Sequence, residues 1–355
     1  MAPTKDEMRQ LRRYYSGIAV ILIVLIGIFI GVNTLVLRIA CGMIGGGFDK
    51  EAIAAGREAV RNNAVMTAIY SYFFPFVADI AALCVGLAIT KVDLKKYFNV
   101  RGFNGKDLLD MTAFGMGLPV IGSLAVVLVS GIVGIVMGKD AQDAADTVNL
   151  FSLQGPLWLK MLEYSYVCLL GPIMEELIFR GVMLAGLRKY GNVFAVIMSS
   201  VMFGLMHMRF AQCFPAIVIG IVSAVMVIRT GSILPSIFLH VLNNSLSAIL
   251  MIMMEGMDMQ KLMDISKSGN MEDMMTLFTA FTPVFVFMGI NMLLRFGALI
   301  WSGIRIVSFR SKRGVLFGKN EYCTQRTWKP CFTSVPMLLI LGYLTVATLV
   351  SIVKM

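Results

Sequence analysis

Three ionisable side chains interrupt an apolar stretch of the chain, GPIMEELIFRGVM at residues 171–183. A charge at the centre of a membrane-spanning helix costs about 2.5 to 3.5 kcal/mol, and such residues usually mark function. In a helix, Glu176 and Arg180 lie at positions i and i+4 with the acid first, which favours an ion pair. Glu175 lies about 100° around the helix from Glu176 and has no partner in its own helix. The spacing therefore predicts one neutralised pair and one carboxylate that is free to act as a base.

Both histidines of the chain also lie in apolar segments. The segment FGLMH runs from Phe203 to His207, and the segment HVLNN runs from His240 to Asn244. At a rise of about 1.5 Å per residue, Glu175, His207 and His240 are roughly 20, 22 and 15 Å from the cytoplasmic ends of their helices. The three side chains are therefore predicted to meet near the middle of the membrane.

A buried, wetted carboxylate with imidazoles can deprotonate a water molecule and stabilise the oxyanion that forms when this water attacks a carbonyl. The serine motif GxSxG and the zinc motif HExxH are both absent. Two alternatives remain open at this point. Either the carboxylate and a histidine act as bases, or a metal ion held between them activates the water.

The composition indicates a membrane protein, because 58% of the residues are hydrophobic and 15% are charged. Apolar runs of about 20 residues recur, which is the length needed to span a bilayer. We predict an all-α polytopic transmembrane bundle of about 8 to 9 spans, without a soluble domain. The candidate spans are residues 18–37, 64–90, 112–137, 164–187, 193–208, 213–228, 232–254, 277–301 and 332–353. Residues 1–355 form a single membrane domain in this interpretation, with catalytic core helices at 157–254 and accessory spans at 1–150 and 255–355.

The charged loops predict the orientation of the spans. Segments 91–106 and 305–329 are basic and belong on the cytoplasmic side, whereas segments 138–146 and 255–274 are net acidic and belong outside. A cytoplasmic N-terminus in the cell membrane satisfies all four assignments. The net charge of +10 is thereby explained by topology and the lipid bilayer, and no nucleic-acid partner is expected. The cysteines form no CxxC pair and are interpreted as single thiols.

The motifs EELIFR, FGLMH and HVLNN, in this order, resemble those of the CPBP intramembrane protease family, EExxxR, FxxxH and HxxxN. This family includes the type II CAAX prenyl endopeptidases and the bacterial Abi proteins, and the resemblance covers about residues 171–245. It implies hydrolysis of a peptide bond in a membrane peptide or a lipidated peptide.

By position in these motifs, the resemblance assigns a role to each polar residue. Glu175 would be the base that acts on water with His207, and His240 and Asn244 would stabilise the oxyanion. Glu176, Arg180 and Phe203 would be supporting residues. The family is commonly called a metalloprotease, but a metal-free glutamate protease fits the same residues. If a divalent metal such as zinc is bound, its ligands would be Glu175, His207 and His240.

Two other classes of function compete with the protease. A proton-coupled transporter also needs intramembrane Glu and His, but the polar groups lie in the fourth, fifth and seventh spans without mirrored partners in the other half. A non-catalytic immunity or scaffold protein would share the fold, although the intact set of polar residues argues against lost activity. Outside the motifs, we expect Asp79 to bond a neighbouring helix and Arg295 to extend toward the cytoplasmic interface.

Overall fold

The computed structural model describes residues 5–43, 49–99, 105–137, 156–254, 265, 270–308 and 328–353. Within these ranges the regular structure is helical, and the predicted all-α fold is confirmed. The helices longer than four residues are α1 (Lys5–Met43), α2 (Lys50–Asn62), α3 (Ala64–Thr90), α4 (Gly105–Gly117), α5 (Pro119–Met137), α6 (157–187), α7 (Asn192–Met206), α8 (Phe210–Thr230), α9 (Leu234–Met254), α10 (Met271–Ser308) and α11 (Val335–Val353).

Seven helices in the described ranges are long and apolar enough to cross a membrane. They are Lys5–Met43, Ala64–Thr90, Leu108–Val136, Phe210–Thr230, Leu234–Met253, Phe281–Arg305 and Val335–Ile352. The other two predicted spans are also helices: α6 contains the charged segment, and α7 has 15 residues. The acidic segment 138–146 and most of segments 255–274 and 305–329, including Cys323, lie outside the described residues, so the orientation stays a prediction.

Helix α6 departs from the α-helical hydrogen-bonding pattern in two places. It has π-helical turns at Tyr166–Leu170 and Leu177–Leu184, and the first of these ends just before Pro172. Proline lacks the N–H of an α-helical bond and crowds the carbonyl four residues earlier, and a wider turn relieves this conflict. Helix α3 has the same arrangement, with a π-helical turn at Ile69–Phe73 before Pro75. The three π turns therefore lie in α6, which carries Glu175, and in the neighbouring helix α3.

Helix α6 lies at the centre of the bundle and contacts α3, α7, α8 and α9. The buried apolar side chains of α1, α3, α6 and α7 form one continuous core. Gly86 of α3 allows close packing there, because a Cβ at this position would lie 2.7 Å from the Cγ1 atom of Val182. The outward side chains of α5 and α10 are largely exposed, as expected for surfaces that face lipid.

A polar contact joins α4 to α10. The Asp110 carboxylate accepts hydrogen bonds from Arg305 Nε at 3.0 and 2.9 Å and from Trp301 Nε1 at 2.9 Å, and Arg305 Nη2 also donates to it. We expect Asp110→Ala to lower the free energy of unfolding by about 2 kcal/mol, because charged hydrogen bonds are lost while Arg305 stays in place. Thermal unfolding in detergent measures the change. An unchanged melting temperature would contradict this prediction.

Candidate functional site

Helices α6 and α9 bring both glutamates of the EELIFR motif to one imidazole. His240 Nδ1 lies 3.1 Å from Glu176 Oε1, and His240 Nε2 lies 3.5 Å from Glu175 Oε2. Consecutive helix positions point about 100° apart, so the two carboxylates reach the ring from its two nitrogens. His240 is buried, and its ring is held in one orientation between the two acids.

The two glutamates differ in their access to solvent. The Glu176 side chain is 0% exposed, whereas the Glu175 side chain is 22% exposed. Arg180 Nη1 lies 3.1 Å from Glu176 Oε1, as the i, i+4 spacing predicted, and Arg180 is also fully buried. The spacing therefore predicted the ion pair of Glu176 and Arg180 correctly, but not that both glutamates contact His240.

Phe203 lies at the centre of the site and contacts several of its polar groups. Its ring packs edge to face against His207 and His240, with centroids 5.2 and 5.5 Å away. The Arg180 guanidinium carbon lies 4.3 Å from the ring centroid, within the range of a cation–π contact. Phe203 is 1% exposed. This aromatic residue therefore packs against both imidazoles and against the buried cation.

His207 is oriented by its own helix. Its Nδ1 lies 2.9 Å from the Phe203 carbonyl oxygen, which can only accept, so Nδ1 donates and Nε2 is the acceptor nitrogen of the neutral ring. Among the described residues, the imidazole within 4 Å of Glu175 is that of His240. The partnership of His207 with Glu175 therefore stays a prediction.

The two asparagines of the HVLNN motif face different helices. Asn244 Nδ2 donates to the Val167 carbonyl of α6 at 2.9 Å, and Asn243 Nδ2 donates to the Leu239 carbonyl at 3.1 Å. Asn243 Oδ1 accepts from Arg295 Nη1 at 3.2 Å. The expectation that Arg295 extends to the cytoplasmic interface is thus wrong, because an amide acceptor on α9 holds its guanidinium inside the bundle.

A third carboxylate, that of Asp79, interacts electrostatically with Glu175. Asp79 of α3 is buried, and its Oδ2 atom accepts a hydrogen bond from the Tyr166 hydroxyl of α6 at 3.1 Å. The expected bond from Asp79 to a neighbouring helix is therefore confirmed. Tyr166 was not identified from the sequence, because a tyrosine in an apolar segment carries no charge that would distinguish it.

The potential metal ligands do not converge in this arrangement. Within the described ranges, no group of three or more His, Cys, Asp or Glu side chains is placed to hold a metal ion. Glu175 and His240 are close to each other, but His207 is not grouped with them, although its Nδ1–H bond to the Phe203 carbonyl leaves Nε2 free as a ligand atom. As these side chains stand, Glu175, His207 and His240 are therefore not placed to hold one metal ion together.

The fold and the site together define a polytopic helical membrane protein with a carboxylate–imidazole centre buried between its spans. Residues 156–246 match the family described as type II CAAX prenyl endopeptidase Rce1-like. The resemblance inferred from the three motifs is thereby confirmed, and this family supports an intramembrane protease of the CAAX type. No match was found among curated proteins or among solved structures.

Proposed function

We propose that the chain is an intramembrane endopeptidase that hydrolyses a peptide bond of a membrane-associated or lipidated peptide. The observation that carries this proposal is the placement of Glu175, the more exposed of two acids, against an imidazole whose other nitrogen contacts buried Glu176. A base needs access to water, and an oriented imidazole needs a fixed partner. Glu175 has access to water, and buried Glu176 is the fixed partner of the imidazole.

In the first step, the carboxylate of Glu175 takes a proton from a water molecule, and the water oxygen bonds to the carbonyl carbon of the substrate. His207 assists Glu175 by accepting a hydrogen bond from the same water molecule at Nε2, the acceptor nitrogen of its neutral ring. The carbonyl oxygen becomes an oxyanion. When the carbon–nitrogen bond breaks, Glu175 returns its proton to the leaving amine.

His240 and Asn244 stabilise the oxyanion in this mechanism. His240 donates an N–H of its ring to the oxyanion, and Glu176, whose Oε1 lies 3.1 Å from Nδ1, holds the ring in place. The carboxamide of Asn244 has two N–H groups, of which one can bond Val167 and the other the oxyanion. Removing one such donor typically costs about 10² to 10³ in kcat.

The test compares wild-type protein with Glu175→Ala and His207→Ala on a panel of membrane-anchored peptides in liposomes. We expect wild type to cleave at least one peptide and both variants to lose this activity. Glu163→Gln is the matched control, since Glu163 is a buried acid of the same helix about 18 Å from Glu175. Unchanged cleavage in both variants would refute the assignment, and a proton flux lost in both without any proteolysis would favour a transporter.

We further propose the metal-free, glutamate-type mechanism, because the described donors form no three-ligand group. Cleavage in liposomes is therefore expected to persist after treatment with a chelator and extensive dialysis. Loss of at least 90% of the activity, with recovery on adding zinc, would contradict this prediction and favour the metalloprotease alternative.

A further inference from the structure

Asp79 belongs to α3, outside the residues that match the family, yet its only described hydrogen bond is to the catalytic helix. Burying a carboxylate in a membrane bundle is costly, and such residues usually mark function. The acceptor oxygen of Asp79 links α3 to the helix that carries Glu175.

The Tyr166 side chain lies between two residues of α3. Its hydroxyl donates to Asp79, and its ring lies 5.9 Å from the ring of Tyr72, two turns earlier on the same face of α3. Tyr166 is also the first residue of the π turn Tyr166–Leu170, where its carbonyl accepts the N–H of Gly171. The position of Tyr166 thus determines how this irregular turn begins.

The same π turn is bonded from a second helix. Asn244 of α9 donates to the carbonyl of Val167, the residue next to Tyr166. The turn is therefore bonded by α3 on one side and by α9 on the other. A π turn is less regular than the α-helix around it, so side-chain bonds from neighbouring helices are what fix its geometry.

Glu175 lies on the same helix, five residues after the end of this turn. It lies nine residues after Tyr166, beyond Pro172, and its carboxylate interacts electrostatically with both Asp79 and Tyr166. A shift of about 1 Å in a catalytic group can cost a factor of roughly 10² in rate. The start of the π turn therefore affects where the carboxylate of Glu175 points.

We propose that Asp79 and Tyr166 form a positioning pair, in which the bond between them fixes the π turn of α6 and thereby holds Glu175 in its reactive orientation. This inference rests on the proposed proteolysis. The bond performs the positioning, and the negative charge of Asp79 is not needed for it. Neither residue touches the scissile bond in this proposal.

The variants Tyr166→Phe, Asp79→Leu and Asp79→Asn separate the bond from the charge. Phenylalanine and leucine each remove one partner of the bond, whereas asparagine keeps an acceptor oxygen for Tyr166 and loses the charge. Tyr72→Phe is the matched control, because the Tyr72 hydroxyl bonds Glu163 across the same two helices, far from Glu175. All variants are purified as full chains and assayed in liposomes beside wild type.

We expect Tyr166→Phe and Asp79→Leu to lower kcat about tenfold to hundredfold with KM changed less than threefold, and Asp79→Asn to retain at least half of the wild-type kcat. The double variant Tyr166→Phe/Asp79→Leu should be no slower than the slower single variant, because the pair acts as one unit. Tyr72→Phe should keep the wild-type kcat.

Three results would overturn the positioning pair. They are a wild-type kcat in Tyr166→Phe, an equal loss of kcat in Asp79→Asn and Asp79→Leu, and a loss in Tyr72→Phe as large as that in Tyr166→Phe. In each case wild type still cleaves, and the proposed function stands. Absence of cleavage by wild type removes the proposed function and this inference together.

Discussion

Replacing Glu175 by glutamine is expected to lower kcat about 10²- to 10⁴-fold, with little change in the stability of the fold. Glutamine has nearly the shape of glutamate but cannot take a proton from water, and general base catalysis typically contributes a factor of this size. Because the Glu175 side chain is 22% exposed and its contact with His240 is 3.5 Å long, the amide fits without leaving a buried charge unpaired. Single-turnover cleavage in liposomes measures the rate.

The matched control for this prediction is Glu163→Gln in the same helix. Both substitutions remove one carboxylate from α6, but Glu163 lies about 18 Å from the site. We expect Glu163→Gln to cleave at a rate within about fivefold of wild type. Equal rates for the two variants, at equal melting temperatures, would show that Glu175 is not the base.

The sequence was sufficient to predict the ion pair of α6 because that pair is local. Glu176 and Arg180 are four residues apart in one helix, so their contact follows from helix geometry alone. The contact of His240 with both glutamates could not be predicted in this way. It depends on how far α9 is rotated about its axis and how closely it approaches α6, and neither quantity is encoded in residue spacing.

The prediction that Arg295 extends to the cytoplasmic interface was wrong for the same reason, because it also depends on how helices pack. A long basic side chain in an apolar helix usually extends along the helix to the interface. Here Arg295 finds two amide acceptors, Asn243 on α9 at 3.2 Å and Asn291 on its own helix at 3.0 Å. Asn291 could be recognised from its i, i+4 spacing, but Asn243 is 52 residues away. Only the packing of α9 against α10 reveals that acceptor.

The π turn at Tyr166–Leu170 depends partly on the local sequence of α6 and partly on contacts with other helices. Pro172 identifies a position where one α-helical hydrogen bond is lost, because proline has no N–H to donate. The form of the irregularity depends on contacts from outside the helix. Tyr166 and Val167 are bonded by side chains of α3 and α9 respectively, and these partners lie 87 and 77 residues away.

Replacing Glu176 by glutamine is the second substitution with a large expected effect, and it should lower both the stability of the fold and the rate of catalysis. Glu176→Gln leaves the Arg180 guanidinium fully buried without a carboxylate, and breaking a buried pair in this way typically costs about 3 to 5 kcal/mol. Within the described residues, Glu176 is the acid in contact with Arg180, and the 3.1 Å contact lacks the alignment of a hydrogen bond. Arg180 therefore depends on charge attraction and on the Phe203 ring. Thermal unfolding in detergent should show a clear loss of stability for this variant.

The double variant Glu176→Leu/Arg180→Met separates the stability effect from the effect on His240. Replacing both members of a buried ion pair by apolar residues of similar volume is often neutral or stabilising, so we expect the melting temperature to return to within a few degrees of the wild-type value. Catalysis should not return, because Nδ1 of His240 has lost the carboxylate 3.1 Å away that orients its ring. A kcat at least 10²-fold below wild type in this stable variant would assign Glu176 to the orientation of His240. Recovery of both stability and kcat would instead make Glu176 a purely structural partner of Arg180, as the family resemblance alone implies.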